Sequence, residues 1–204
     1  SEESIDLEHS MAQICQTIGN NGWTFNKPKA ITLYSDLCQI RDDLQKDLDE
    51  LFPPWEITEE FIPARDNKTL GYVKGEVFIK RKQVEFNPGS RRHIEKCLRD
   101  KYKWKPTKST GTGHAQIDES ILGGLPYPEA QKLARSFMLQ KRLGMLHDGR
   151  NAWLKLVEDD GKLRHTINPL GTVTGRASSF GPNLQQVPAT RAAFGKECRE
   201  LFTV

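Results

Sequence analysis

The chain has 204 residues, 36% hydrophobic and 28% charged, which suits one or two small domains with real cores and excludes a disordered chain. Thirty Lys and Arg against 27 Asp and Glu give a formal net charge of +3, a balance that neither demands nor excludes nucleic acid. No stretch approaches the ~18 consecutive apolar residues of a membrane-spanning helix, and the acidic, polar opening Ser1-Glu2-Glu3-Ser4 has neither the basic nor the apolar segment of a secretory signal.

The four cysteines, Cys15, Cys38, Cys97 and Cys198, lie far apart with no CxxC pair. They read as buried thiols rather than zinc ligands or a disulfide framework, and they point to a reducing compartment. The charge is uneven. Residues 2–60 hold much of the acid, and basic clusters follow at Lys101 to Lys108 and Arg135 to Arg150.

In chain order, residues 3–19 read as an amphipathic helix, with Leu7, Met11, Ile14, Cys15 and Ile18 at helical spacing, stopped by Asn20-Asn21-Gly22. Trp23-Thr24-Phe25 reads as a short extended link. Residues 28–51 give the clearest helix: Leu33, Leu37, Ile40, Leu44, Leu48 and Leu51 step by three and four, Pro28 suits the first turn, and Pro53-Pro54 ends it. Residues 69–86 alternate enough for one or two strands. Ser90 is a good N-cap for a basic helix from Arg91 to about Arg99, with Ile94 and Leu98 inward. Residues 105–114 read as a flexible loop, in which a lone Gly-Thr-Gly is weak evidence for a phosphate cradle. A third long helix is expected from Pro128 to about Met145, then two short strands between Leu154 and Ile167 joined by a turn at Glu158-Asp159-Asp160-Gly161. The expected fold class is mainly α with a small antiparallel β part.

Residues 165–188 are rich in amides and hydroxyls and poor in core side chains. They read either as a solvated linking loop or as a groove reader. Arg176, Asn183 and Gln186 can donate to the minor-groove acceptors that A·T pairs present in either orientation, so their readout is degenerate. Nearby Lys and Arg would neutralise phosphates and hold the duplex in register.

Thr174-Gly175-Arg176 followed by Pro182-Asn183-Leu184-Gln185-Gln186-Val187-Pro188 resembles the TGR…PNLQ-x-[IV]-P signature of family A (polymerase I-type) DNA polymerases. Phe86-Asn87 through Ser90-Arg91 resembles the FN-x-x-S thumb motif of that family. Leu139-Gln140-Lys141-Arg142-Leu143-Gly144 and Ala152-Trp153-Leu154 resemble the short-tailed-phage branch. Residues 5–51 are similar to the helices that follow the exonuclease domain in such enzymes.

The resemblance implies a helix at the palm base over 1–27, a thumb over 28–157 with a variable insertion at about 52–86, and the start of the palm over 158–204. It implies that Arg176 donates to the groove edge of the primer terminus and that Asn183 and Gln186 lie along the same groove. Lys141 would contact a backbone phosphate. Asn87, Ser90 and Arg91 would sit at a phosphate-favouring helix N-terminus. Lys108 would be a thumb-tip contact, and Arg199 would lie near the primer and the incoming nucleotide.

The same resemblance implies primer–template DNA as partner and Mg2+ as cofactor of the complete polymerase. It also implies that the metal-binding Asp strand, expected shortly after Leu201-Phe202, and the fingers helix are carried elsewhere, by a second chain or a further C-terminal part. No catalytic or metal-ligating residue is therefore expected here, and the chain alone is expected to be inactive. The short stretch at 52–86 speaks against thioredoxin binding, and no membrane association is expected. Two other readings stay open: a stand-alone nucleic-acid-binding module, and a helical interaction module using the leucine stripe of residues 33–51. If a complementing chain exists, residues 189–204 should form an apolar strand edge.

Overall fold

The computed structural model describes residues 2–111 and 113–203. Helices dominate, with small antiparallel sheets, as the sequence leads one to expect. The chain forms two compact units, Ser1–Asp42 with Met138–Val204, and Asp43–Phe137. Among the described residues no helix is long and apolar enough to cross a membrane.

In the first unit, α1 (Glu2–Asn21) leads into β1 (Trp23–Phe25) and the first part of α2 (Lys27–Leu51), whose residues from Asp43 onward belong to the second unit. β1 is the middle strand of a three-stranded sheet, between β4 (Lys162–Leu163) and β7 (Phe202–Thr203). Its core is an aromatic triangle. Phe25, Trp153 and Phe202 meet edge to face with centroids 5.3 to 6.3 Å apart, and Trp153 is only 2% exposed. Leu33, Leu37, Leu139, Leu143, Leu146 and Leu163 are buried in the same unit. A two-stranded ribbon, β5 (Thr166–Asn168) with β6 (Ser178–Phe180), contacts α1. The approach is close because position 19 is glycine: a Cβ there would stand 2.6 Å from the carbonyl oxygen of His165.

The second unit holds β2 (Trp55–Phe61), β3 (Phe78–Val84), α3 (Arg91–Tyr102), α4 (Glu119–Gly123) and the start of α5 (Pro128–Leu143). Ile94 and Leu98 of α3 are buried, as are Leu122 of α4 and Leu133 of α5, with Leu44, Leu48, Phe52 and Phe86. The Ser90 hydroxyl caps α3 by accepting the His93 N–H at 3.4 Å, and the helix runs one turn further than expected, to a left-handed Lys103.

Several expectations need correction. The helix expected over 3–19 is present as α1, though its apolar face is left uncovered: Leu7, Met11, Ile14 and Ile18 are exposed, and Cys15 and Gly19 are the residues buried. Only two of the four cysteines, Cys15 and Cys198, are buried; Cys38 and Cys97 are half-buried. Residues 69–77 are turns rather than strand, and β3 instead pairs with Trp55–Phe61, a strand the sequence reading passed over. Residues 105–114 are not featureless, since Ser109 and Ala115 form a bridge; Thr112 lies outside the described residues. The helical pattern that starts at Pro128 gives way at Gly144–Asp148 to a π-turn. The first of the two strands expected after Leu154 is instead a helical turn, α6 (Trp153–Leu156). The turn at Glu158–Gly161 is present, closed by the Glu158 N–H on the Lys162 carbonyl at 2.9 Å. The apolar strand edge expected over 189–204 is reduced to β7, preceded by α7 (Gly195–Arg199), and Leu201 is buried. Leu33, Leu37, Leu44 and Leu48 of α2 are likewise buried within this chain, with Leu51 half-buried, which leaves the helical interaction module without most of its docking stripe.

Candidate nucleic-acid interface

Lys141 stands near the end of α5, where the helix widens into the π-turn. Single π-turns recur at functional sites because they re-aim the side chains that follow. Here the turn is held on its outer side by the Tyr34 phenol, which donates to Asp148 at 2.7 Å. That hydrogen bond and burial push the Tyr34 pKa up. On its inner side, Gly144, Met145 and Gly149 line a cleft of about 690 Å³.

The opposite wall of that cleft comes from the polar segment. Asn183 and Gln186 line it together with Lys141, so three of the expected DNA-contacting residues, drawn from segments about 40 positions apart, share one cleft. Arg142 and Asn151 line it too, and the sequence reading did not single them out. The Arg142 Nε donates to the Ala193 carbonyl at 3.1 Å, which ties the segment before α7 to α5.

Asn183 caps the 3-10 turn Leu184–Gln186: its Oδ1 accepts the Gln185 N–H at 3.1 Å. With the oxygen so used, the amide NH2 is the side of Asn183 that a ligand acceptor can engage. Arg176 lies on the preceding loop and is exposed; it is not among the residues lining this cleft. Its backbone is clasped by Thr172, whose hydroxyl accepts the Arg176 N–H at 3.0 Å and lies 3.1 Å from the Arg176 carbonyl. Gly175, at φ +73°, supplies the left-handed residue that this loop requires.

Arg199 belongs to a different cavity, of about 550 Å³, which it lines with Trp23, His165, Leu184 and Phe202. Its Nε donates to the Pro188 carbonyl at 2.8 Å. Ser179 also lines this cavity and is 4% exposed. Burial pushes the His165 pKa down, which favours the neutral imidazole.

The remaining expected residues lie in the second unit. The Asn87 Oδ1 closes an Asx turn on the Gly89 N–H at 2.8 Å, just before the Ser90 cap. The Arg91 Nε donates to the Ile117 carbonyl at 3.0 Å, so part of this guanidinium is already engaged in the fold. Lys108 accepts the Gln116 N–H at its carbonyl, 2.9 Å away, and is exposed at the base of the Ser109–Ala115 bridge.

The divalent ions of a complete polymerase find no donor set here: among the described residues no group of three or more His, Cys, Asp or Glu side chains converges to hold a metal. The cleft is lined by amides and basic groups, Lys141, Arg142, Asn151, Asn183 and Gln186 among them.

The π-turn cleft of this mainly helical chain thus gathers one lysine and two carboxamides from segments distant in sequence. Residues 66–204 match DNA polymerase family A, and the chain belongs to that family. It is 32% identical over 247 aligned residues to the DNA-directed DNA polymerases of Escherichia phage T7 and Enterobacteria phage T3, covering 99% of this chain and 35% of each phage protein. DNA polymerase I of Treponema pallidum is 31% identical over 121 residues, covering 58% of this chain and 12% of that enzyme. A solved structure of the polymerase domain of Pol1 from M. smegmatis, in complex with DNA primer–template and dNTP, superimposes with a TM-score of 0.61 at 22% identity, over 90% of this chain and 27% of that one. The chain thus spans about a third of the length of its phage relatives.

Proposed function

We propose that this chain is the primer–template-gripping portion of a family A DNA polymerase used in replication, acting in the cytoplasm of a bacterial or phage-infected cell. In this reading the second unit is part of the thumb, and the segment from residue 158 onward is the start of the palm. The observation that carries the reading is the cleft shared by Lys141, Asn183 and Gln186.

The ammonium of Lys141 attracts a phosphate, and the two carboxamides donate to minor-groove acceptors that every base pair offers. Arg176, on its exposed loop, reaches the primer end of the same groove. Arg199 serves the side facing primer and nucleotide. Asn87, Ser90 and Arg91 bring the N-terminus of α3 to a phosphate, and Lys108 adds a tip contact. Contacts of this kind test pair shape without sequence preference, as replication needs. Phosphoryl transfer, with its Mg2+ ions, is assigned to carboxylates carried elsewhere in the polymerase, and the chain alone is inactive.

The test is binding of a fluorescent primer–template over a salt series, for wild type and Arg176→Ala. The expected result is binding that prefers a recessed duplex end, weakens steeply with salt and drops roughly tenfold in the variant. Absence of duplex binding at low salt would refute the reading.

A further inference from the structure

The turn bearing Asn183 and Gln186 is held from behind by groups that none of the contacts above requires. The Trp23 indole N–H donates to His165 Nε2 at 3.4 Å. Since Nε2 accepts, the ring proton is on Nδ1, which donates to the Ser179 hydroxyl 2.7 Å away. That hydroxyl also accepts the Leu184 N–H at 3.3 Å and donates to the Pro182 carbonyl at 3.3 Å. One donor and two acceptor positions are all that a hydroxyl has, and all three are used.

We propose that Trp23, His165 and Ser179 form a neutral hydrogen-bond relay that fixes the Pro182–Leu184 link, and with it Asn183 and Gln186, in the conformation that meets the duplex. His165 is then a positioning residue for primer–template recognition; the inference rests on the function proposed above. The two bonds of the Ser179 oxygen to this link lie on either side of Asn183, so that residue is pinned fore and aft by one buried atom. Ser179 is steered by an imidazole, and the imidazole by an indole contributed from β1, 142 positions away in sequence. The relay therefore ties the groove-facing turn to the three-stranded sheet. Nothing in it is charged, so it contributes no attraction for phosphate. Its effect on binding comes from removing the ordering cost that a loose polar turn would pay on the duplex.

The experiment measures amide hydrogen exchange at Leu184 and affinity for a fluorescent primer–template across a salt series. The proteins are wild type, His165→Ala, His165→Asn, Ser179→Ala and Trp23→Phe. The alanine variants should exchange faster at Leu184 and bind about tenfold more weakly, with the slope of log affinity against log salt unchanged. His165→Asn, whose amide nitrogen stands about where Nδ1 stood, should restore most of the affinity. Trp23→Phe removes a single N–H at an exposed rim, tests the relay if an alanine variant fails to fold, and should show a smaller loss of the same kind. The proposal is overturned if Leu184 exchange rises while affinity holds, or if affinity and salt slope fall together, which would mean lost phosphate contacts. Wild type binding the duplex with His165→Ala unchanged overturns the relay alone. A wild type that does not bind at low salt overturns the function itself, and the relay's role with it.

Discussion

Glu129 accepts the ammonium of Lys101 at 2.5 Å on one carboxylate oxygen and the phenol of Tyr102 on the other. This pins the first turn of α5 to the last turn of α3, and Tyr102 stacks on Tyr127 at 4.0 Å to cover the joint. The hydrogen bonds from Lys101 and Tyr102 hold the Glu129 carboxyl down to about 2 and lift the Tyr102 phenol to about 12. A depressed carboxyl contributes stability that is fully present above its ordinary value of 4.5 and is lost as pH falls toward about 2. Glu129→Gln is expected to flatten the acid limb of a stability-against-pH curve in that window. An acid limb identical to wild type would show that the pair contributes nothing.

Trp153 is the largest fully buried side chain, and it closes the aromatic triangle with Phe25 and Phe202. Trp153→Ala should cost about 3–5 kcal/mol in denaturant unfolding, the range for emptying a buried aromatic site. Phe180→Ala, on an exposed ring, serves as the comparison and should cost well under half of that.

Gly19 lets α1 lie against β5 without a side chain between them. Gly19→Val would drive a branched side chain toward the His165 carbonyl, and is expected to destabilise by about 1–3 kcal/mol. Gly149, whose carbonless side faces Gly144 in the π-turn, offers a second position where thermal melts can be compared.

The elements that the sequence makes legible are those set by local rules. The α2 stripe is readable because Leu33, Leu37, Leu44 and Leu48 repeat at helical spacing, and each is buried. Ser90 is readable as a cap because a hydroxyl before a helical run has one obvious use. The β2 strand had a signal too, since Trp55, Ile57 and Phe61 alternate, but three glutamates among them obscured it. Periodicity misleads in α1, where a regular apolar stripe says only that one face is apolar and not that anything covers it. In the site, Asn183 and Gln186 were visible through their motif, whereas Arg142 and Asn151 needed the fold to bring them to the cleft. His165 was invisible for the same reason, because its partners Trp23 and Ser179 are distant in sequence and only the sheet aligns them.

His165 also gives the candidate interface a dependence on acid. Burial lowers its pKa, so the unfolded chain takes up a proton before the folded one does. Its neutral form is fully favoured above the ordinary histidine value of about 6.5, and the fold loses stability as pH drops below that. Protonation would also remove the acceptor for the Trp23 indole. Protection of the Leu184 amide in wild type, taken relative to the intrinsic exchange rate at each pH, should therefore fall as the solution is acidified below the ordinary histidine range, and His165→Asn should show no such change. A variant that follows the wild-type curve would place the titration elsewhere.

The most direct measurement is the salt dependence of primer–template affinity for wild type, Lys141→Ala and Asn183→Ala. If the shared cleft grips DNA through one phosphate contact and neutral groove contacts, Lys141→Ala should weaken binding and lower the salt slope by about 1. Asn183→Ala should weaken binding by about 1–3 kcal/mol with the slope intact. Both variants binding as wild type does, with equal slopes, would contradict the assignment of this cleft to the duplex.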